Sequence, residues 1–346
     1  MYSDLYINEI KSYSKKLNLK FLENKSVCIT GGTGLILSYL IDAILETTTN
    51  VELILLSRSK EKAYQRFSKH KLDKRLIIHE CDITKHIDLD KNINYILSGA
   101  SFTDPYNYAN YPVETITTNV LANQNLFELA TKQTNFNKFL VFSSCEVYGE
   151  CTDILTEETK GIVNCLDVRS CYNESKRLVE TMAIAYSKEY NINSVIARLS
   201  RVYGPTMKLT DTKALSQFML NGIHGRDIVL KSTGEQKFSY CYVSDAVDAL
   251  FCLLEFGEDK NAYNITNDTE TLMLKEIAQL IADLQNVNLK FELPSEKEKS
   301  GYSRAMYAIQ DCSKIKNLNW SPTIDLKSGI KKAIDCLTER IKKNAI

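Results

Sequence analysis

Short apolar runs alternate with segments of helical periodicity along most of the chain. The first run, residues 27–30, is rich in β-branched residues, stops at a glycine cluster and is followed by apolar residues at helical spacing. This pattern predicts a strand, a tight turn and a helix. Similar runs predict strands at 51–56, 75–78, 93–97, 138–142 and 194–197, and longer patterns predict helices at 114–133 and 172–190. Because strands alternate with helices, we expect an α/β fold with a doubly wound parallel sheet and ligands at the carboxyl ends of its strands.

Both ends of the chain depart from this alternation. Residues 1–22 carry a helical pattern ahead of the first strand, which predicts a helical appendage that packs on the main domain. Residues 23–205 hold the strand and helix alternation of the sheet domain. Residues 206–346 have an irregular pattern, with predicted helices at 214–222, 244–255 and 274–284 and short strands at 227–231 and 240–243. We expect this last part to form mainly a smaller substrate-binding lobe, with segments that return to the sheet domain.

Composition narrows the class of protein. The 346 residues are 44% hydrophobic and 25% charged, with a formal net charge of +0, so bulk charge indicates neither a nucleic-acid nor a membrane partner. No apolar run is long enough to span a bilayer, and the N-terminus is polar. Ten cysteines without paired spacing indicate reduced thiols in a cytoplasmic protein. Four histidines show no metal-ligand spacing with the cysteines, so we predict no metal site.

The glycine cluster after the first strand predicts a dinucleotide site. Glycines such as Gly31 and Gly34 let the backbone approach a diphosphate, and the following helix offers free N–H groups and a partial positive charge. The spacing fits a dinucleotide-binding fingerprint, except that Leu37 stands where a third glycine is usual. We therefore expect the sheet domain to be of the Rossmann type.

The end of the second predicted strand bears on the choice of cofactor. Domains that prefer NAD place Asp or Glu there to bind the ribose 2′-hydroxyl. This chain has Ser57 and Arg58 instead, whose hydroxyl and guanidinium suit a 2′-phosphate. The alternative is a solvated basic turn, with NAD held by other contacts. We predict NAD(P) as the cofactor, with NADP slightly favoured.

Tyr172 and Lys176 form the main candidate for acid–base chemistry. They are four residues apart and lie on one face of a predicted helix. An ammonium near a phenol stabilises the phenolate, so we expect a lowered pKa for Tyr172. Ser144, at the end of the strand predicted at 138–142, could hold a sugar or carbinol oxygen while Tyr172 moves its proton.

These features resemble the extended short-chain dehydrogenases/reductases that act on nucleotide sugars, the epimerase/dehydratase group, over roughly residues 25–340. The motifs are Thr30-Gly31-Gly32-Thr33-Gly34, Asp82-Ile83, Thr118-Asn119, Ser144-x-Glu146-Val147-Tyr148-Gly149, Tyr172-x-x-x-Lys176, Arg198 with Tyr203-Gly204-Pro205, Tyr242-Val243-Ser244-Asp245 and Leu318-Asn319-Trp320-Ser321-Pro322. Within that group the chain most resembles the UDP-glucuronate decarboxylases. That likeness comes from Ser98-Gly99-Ala100-Ser101, the aromatic loop Pro105-Tyr106-Asn107-Tyr108 and Cys171-Tyr172-Asn173-Glu174-Ser175-Lys176-Arg177.

The resemblance implies a mechanism. Tyr172 would take the proton of the sugar 4-hydroxyl while hydride passes from C4 to the nicotinamide. Lys176 would hold the nicotinamide ribose, and Ser144 would hydrogen-bond the reacting oxygen. Glu146 stands where these enzymes carry a catalytic glutamate. The resulting 4-keto sugar would then undergo decarboxylation or epimerisation.

The resemblance also implies the contacts of the site. The cofactor-binding residues it implies are Gly31, Thr33, Gly34, Leu35, Ile36, Ser57, Arg58, Asp82, Ile83, Ser98, Gly99, Ala100, Asn119, Tyr172 and Lys176. The substrate, a nucleotide-diphosphate sugar, would contact Ser101, Arg201, Lys213 and Lys237. Members of this type commonly pair through the helix that bears Tyr172 and the helix before the Ser144 strand, so we expect a homodimer.

Three departures from the family pattern leave alternatives open. Cys145 stands where 4,6-dehydratases carry an acidic Asp, which counts against dehydration. Phe238 replaces a common arginine and Arg201 replaces a common asparagine, so Arg201 is either a relocated diphosphate contact or the partner of a local carboxylate. A net 4-oxidoreductase on a nucleotide sugar and a non-catalytic NAD(P)-sensing protein are the other candidate functions.

Overall fold

The computed structural model describes residues 2–103, 105–151, 154–292 and 306–344. The helices in these ranges are α1 Asp4–Ser14, α2 Leu35–Leu45, α3 Lys60–Arg66, α4 Pro105–Asn110, α5 Pro112–Thr131, α6 Ser170–Tyr190, α7 Ala214–Ile223, α8 Val243–Phe256, α9 Leu274–Gln285, α10 Ser313–Lys316 and α11 Leu326–Asn344. The strands are β1 Lys25–Thr30, β2 Val51–Ser57, β3 Leu76–Glu80, β4 Tyr95–Ser98, β5 Lys138–Ser144, β6 Ser194–Leu199, β7 Arg201–Tyr203, β8 Ile228–Leu230, β9 Lys237–Phe238, β10 Tyr240–Tyr242, β11 Asn261–Ile265, β12 Leu289–Phe291 and β13 Tyr307–Ala308.

Seven of these strands form one parallel sheet in the order β11-β6-β5-β4-β1-β2-β3. The direction of the strand order reverses between β1 and β4. At such a reversal the loops after the two strands diverge to opposite faces, and a ligand crevice opens at the carboxyl edge. The predicted doubly wound α/β fold of the Rossmann type is therefore confirmed.

The two faces of the sheet bury separate apolar cores. Along β1, Val27 and Ile29 point into the core under α2 and α8, and Cys28 points into the core under α5 and α6. This alternation is the period-two pattern of a strand that is covered on both sides. The helix that carries Tyr172 therefore lies on a fully packed layer, and its position is set by the β5 and β6 strands beneath it.

The N-terminal helix α1 is tied to the sheet domain by a buried carboxylate. Asp42 of α2 accepts hydrogen bonds from the hydroxyls of Tyr2 (2.8 Å) and Tyr6 (2.6 Å). It also forms an ion pair with Arg66 at 2.7 Å and lies 3.3 Å from His70. A buried charge is stable only when it is paired and hydrogen-bonded, so these partners make α1 part of the folded unit.

The second half of the chain divides its elements between two places. α8 packs on α2 and β11 pairs with β6, so both belong to the sheet domain. Other elements of this half pair with one another: α7 packs on α9, β8 pairs with β12 and β9 pairs with β13. The division into a sheet domain and a smaller substrate-binding lobe stays a prediction. Several bounds differ from the predictions by one or two residues, and two short segments illustrate the differences. The segment 105–108, predicted as a loop, begins α4, and the strand predicted at 227–231 is limited to Ile228–Leu230.

Candidate active site

The loops after β1 and β4 approach each other too closely for any side chain larger than glycine. Gly31 has a φ of +71°, and a Cβ on it would lie 2.6 Å from the backbone of Gly99. The amide of Ala100 donates to the hydroxyl of Thr30 at 3.2 Å, which holds the two loops together. The predicted cofactor residues Gly31, Gly99 and Ala100 therefore lie side by side at the crevice.

The N-terminus of α2 opens into the same crevice. Gly34 is its N-cap, and no side chain within the described residues caps that end. The first N–H groups of the helix, which belong to Leu35 and Ile36, are therefore available to an anion. Leu37 replaces the third fingerprint glycine, and its side chain packs against the Cα of Gly99. A glycine cradle beside an uncapped helix end fits the diphosphate of a dinucleotide.

The loops after β2 and β3 place the predicted ribose contacts on the protein surface. The Arg58 side chain is 70% exposed, and its guanidinium lies 3.8 Å from Glu114. The hydroxyl of Ser57 donates to the Ser59 carbonyl at 3.0 Å. Asp82 accepts hydrogen bonds from the hydroxyl and the amide of Thr84, which hold its pKa below the ordinary value. Arg58 can turn toward a ligand, because its ion pair with Glu114 is long and solvated.

Two predicted cofactor residues are engaged inside the protein. Ser98 donates to the side chain of Asn123 at 2.6 Å, and the amide of Asn119 donates to the hydroxyl of Ser175 at 2.8 Å. Asn119 is fully buried and joins α5 to α6. It therefore supports the helix that carries Tyr172, and a direct cofactor contact by Asn119 stays a prediction. The predicted residue Ile83 lies in the core under α5 and α6.

The structure brings Ser144, Tyr172 and Lys176 together. The Ser144 hydroxyl lies close enough to the Tyr172 phenol to lower its pKa, and it also accepts a hydrogen bond from the Glu146 amide at 3.2 Å. The ammonium of Lys176 donates to the carbonyl of Phe142 at 2.7 Å and lies 5.8 Å from the centre of the Tyr172 ring. These three side chains come from the end of β5 and one face of α6, as their spacing predicts.

The prediction that the Tyr172 pKa is lowered is wrong. Burial raises the pKa of Tyr172 well above its ordinary value, and the hydrogen bond to Ser144 opposes this only in part. Burial also lowers the pKa of Lys176 to about 8, against the field of Glu180. Desolvation is therefore the largest influence on both groups, and the Lys176 ammonium donates to the Phe142 carbonyl at the end of β5.

Tyr108 covers the Tyr172 ring, a contact that the sequence analysis missed. The two rings stack with centroids 4.7 Å apart and an interplanar angle of 26°. The guanidinium of Arg169 lies over the Tyr108 ring, 5.7 Å from its centre. The only sequence signal for Tyr108 was its place in an aromatic segment, whose contact partner is 64 residues away in the chain.

Glu146 lies between two arginines. Its carboxylate accepts a hydrogen bond from Arg169 at 3.0 Å and lies 3.7 Å from Arg201. Burial alone would raise the pKa of Glu146, but the two guanidiniums outweigh it and the pKa is lowered. The carboxylate is therefore ionised, and the three side chains together carry one net positive charge.

Arg201 is held by its surroundings. Its guanidinium lies 3.5 Å from the centre of the Phe238 ring and 3.8 Å from the sulfur of Cys145. Burial raises the pKa of Cys145, so this thiol is neutral. The local carboxylate partner considered for Arg201 is thus present in Glu146, while its role as a substrate contact stays a prediction. Arg169 received no role from its sequence position, although it lies three residues before Tyr172.

The other predicted substrate residues make local contacts, and their roles stay predictions. The hydroxyl of Ser101 donates to the Phe102 carbonyl at 2.8 Å. Lys213 precedes α7 and pairs with Asp211 at 2.7 Å, and Lys237 begins β9 beside Phe238.

Among the described residues, no group of three or more His, Cys, Asp and Glu side chains could hold a metal ion. In the same ranges, each helix is too short or too polar to cross a bilayer.

Comparison with known proteins identifies the family. The sequence model of the NAD dependent epimerase/dehydratase family matches residues 27–266. UDP-glucuronic acid decarboxylase 3 of Arabidopsis thaliana is 33% identical over 319 residues, which cover 90% of this chain and 89% of that protein.

Solved structures share the fold. UDP-glucuronic acid 4-epimerase from Bacillus cereus, in complex with UDP-glucuronic acid and NAD, aligns with a TM-score of 0.77 at 20% identity, over 91% of this chain and 99% of that one. The dTDP-glucose 4,6-dehydratase of Bacillus anthracis, in complex with NAD, aligns with a TM-score of 0.78 at 20% identity, over 92% and 98%. With the glycine cradle and the Ser144, Tyr172 and Lys176 cluster in place, the chain belongs to the NAD dependent epimerase/dehydratase family.

Proposed function

We propose that this protein oxidises the C4 hydroxyl of a nucleotide-diphosphate sugar acid and then removes its carboxylate. One observation carries the proposal. The Ser144, Tyr172 and Lys176 cluster lies next to Glu146. The Glu146 carboxylate pairs with two arginines, and these three charged side chains have a net charge of +1. The name of the similar Arabidopsis protein, a UDP-glucuronic acid decarboxylase, supports the same substrate class for this chain.

The first step uses the Tyr172 cluster. Ser144 holds the 4-oxygen of the sugar, and Tyr172 takes the proton of that hydroxyl. A bound nicotinamide cofactor would supply hydride chemistry, taking up the hydride from C4 and later returning it. Within the protein, the Ser144 hydroxyl acts against the burial that raises the pKa of Tyr172.

The second step uses the arginines. A ketone at C4 is β to the carboxylate on C5, so the C5–C6 bond can break. CO2 leaves, and the electron pair of the broken C5–C6 bond forms the enolate of C4 and C5. A proton from solvent adds at C5 and restores the ketone, and return of the hydride to C4 and of the Tyr172 proton to the 4-oxygen gives the pentose. Arg169 and Arg201 can bind the carboxylate before it leaves and the enolate oxygen as it forms. Glu146 is ionised, accepts a hydrogen bond from Arg169 and pairs with Arg201 at 3.7 Å, so it orients both arginines and is a poor proton donor.

Epimerisation through the same 4-keto sugar is the second candidate, because the first step is common to both reactions. The experiment that separates them incubates the protein with UDP-glucuronic acid and either NAD or NADP. Mass spectrometry of the product and absorbance at 340 nm are recorded together. A product short of one CO2, with no lasting rise at 340 nm, supports decarboxylation with recycling. An isomer of unchanged mass indicates epimerisation, and a steady rise at 340 nm indicates a net oxidoreductase.

We also propose that the cofactor site accepts NADP in preference to NAD. β2 ends without the carboxylate that binds a ribose 2′-hydroxyl, and the exposed guanidinium of Arg58 suits a 2′-phosphate. The glycine cradle itself is common to both cofactors, so Arg58 is the residue on which this preference rests.

We further propose a homodimer that pairs through α5 and α6. Both helices expose large apolar side chains, including Val113 at 74% and Leu178 at 47%. Such residues on neighbouring helices form a face that a second copy of the chain would bury.

The ten cysteines are free thiols, which supports a reducing compartment such as the cytoplasm.

A further inference from the structure

Three residues on one face of α6 meet three consecutive residues at the end of β5. They recur every four positions along the helix, so they lie above one another on the side that faces the sheet. The pairs are Tyr172 with the Ser144 hydroxyl, Lys176 with the Phe142 carbonyl and Glu180 with the Ser143 hydroxyl. Two of these pairs belong to the proposed reaction, and the third has no role in it.

The Glu180 carboxylate has three close hydrogen bonds. Ser143 donates to it at 2.5 Å, and Arg198 donates through two nitrogens at 3.0 and 2.8 Å. The side chains of Glu180 and Arg198 are only 12% and 15% exposed. A bidentate, charge-assisted pair at this burial has a fixed geometry, unlike a surface ion pair.

Arg198 is itself fixed by the sheet. It donates to the hydroxyl of Tyr148 at 3.1 Å and to the carbonyl of Glu157 at 2.8 Å. Tyr148 in turn donates to the side chain of Asn264 on β11 at 2.6 Å. The carboxylate of Glu180 is therefore anchored to β5, β6 and β11 at once, while its backbone belongs to the helix that carries Tyr172 and Lys176.

We propose that Glu180 is a positioning residue, which sets the register of Tyr172 and Lys176 against Ser144 and keeps a negative charge beside the Lys176 ammonium. A helix that slid or rotated on β5 would separate the phenol from the serine hydroxyl. The Ser143–Glu180 contact opposes this motion at the residue next to Ser144, and the Arg198 pair supplies its stiffness.

The charges around Lys176 give the second effect a sign. Glu180, on its own helix, acts on the ammonium as an anion. Arg198, on β6, pairs with that carboxylate at 2.8 Å, and β5 contributes the neutral Phe142 carbonyl. The Tyr172 ring, whose centre lies 5.8 Å from the ammonium, belongs to a phenol with a raised pKa and is neutral. Loss of the Glu180 charge should make Lys176 easier to deprotonate, and loss of the Arg198 charge should make it harder.

The test compares E180Q with E174Q. Glu174 lies on the same helix but forms a half-buried pair with Arg177, which is on that helix too, so E174Q is the matched control. In protein labelled with 13C-lysine, the Lys176 resonance is assigned by its loss in K176M and titrated with pH, without cofactor or substrate. We expect the Lys176 midpoint to fall by about half a unit or more in E180Q, to rise in R198M and to stay unchanged in E174Q.

A kinetic measurement tests the register. Stopped-flow reduction of bound cofactor by UDP-glucuronic acid should slow about 10²-fold in E180Q and remain unchanged in E174Q, because small misplacements of reacting groups cost this much. S143A keeps the charges of Glu180 and Arg198, so it should slow cofactor reduction without moving the Lys176 midpoint. It also provides a test of the register if R198M does not fold. The kinetic part rests on the proposed function, whereas the titration does not. A lower melting temperature of E180Q with unchanged rate and unchanged Lys176 midpoint would overturn the inference.

Discussion

Replacement of Glu146 by glutamine separates the two steps of the proposed reaction. Glutamine keeps the shape of the side chain but removes the charge that faces Arg169 at 3.0 Å and Arg201 at 3.7 Å. Ser144, Tyr172 and Lys176 do not depend on that charge for their own contacts. We therefore expect the oxidation at C4 to survive and the loss of the carboxylate to fail.

The structure sets the size of both effects. Loss of one partner of a fully buried ion pair costs about 3–5 kcal/mol. The Glu146 side chain is 17% exposed, and Arg169 keeps its contact with the Tyr108 ring, so we expect about 1–3 kcal/mol in the free energy of unfolding. Misplaced arginines lose the stabilisation of a developing oxyanion, a loss of roughly 10²–10³ in rate. The pKa of Glu146 lies below its ordinary value, so its carboxylate stays ionised above about pH 6. The loss in the free energy of unfolding should therefore be constant from about pH 6 to 9 and shrink at lower pH.

The assay follows both steps in one sample. Stopped-flow absorbance at 340 nm reports reduction of the bound cofactor after mixing with UDP-glucuronic acid, and mass spectrometry of quenched samples reports the product. E146Q should show cofactor reduction close to the wild-type rate and product formation lower by at least about 10²-fold. E150Q, an exposed glutamate in the same loop, is the control and should match the wild type. A parallel fall of both signals, or no fall in either, would refute the assigned role.

Four further predictions test the remaining assignments. Y172F should stay folded and bind cofactor but lose about 10²–10⁴ in turnover, since it lacks the transferable proton; activity within about threefold of wild type would contradict this. R58A should weaken NADP by roughly 1.5–3 kcal/mol in calorimetric titration while NAD is unaffected, and equal weakening of both would show that the turn is only solvated. Sedimentation should give twice the 39.4 kDa chain mass, and L178D should restore the single-chain mass; a wild-type monomer at micromolar concentration is the contrary result. D42N leaves the buried Arg66 without its carboxylate, so urea unfolding should show a loss of about 3–5 kcal/mol, and a loss under about 1 kcal/mol would mean that the pair contributes little.

Local patterns in the sequence determined the sheet and part of the site. β-branched runs between helical segments predicted the parallel sheet, because burial on both faces requires them. The glycines after β1 predicted the cofactor cradle, and the spacing of Tyr172 and Lys176 predicted one helix face. Each of these features depends on residues close together in the chain, where backbone geometry converts spacing directly into direction.

Only the tertiary structure decided which side chains meet. Glu146 faces Arg169 and Arg201, which are 23 and 55 residues further along the chain, because the end of β5 meets the start of α6 and the start of β7, the strand that follows β6. The same packing buries Tyr172, and this reverses the shift of its pKa that the nearby lysine predicted. Burial and long-range pairing arise from the order of strands and the helices laid over them, and spacing along the chain carries no record of either.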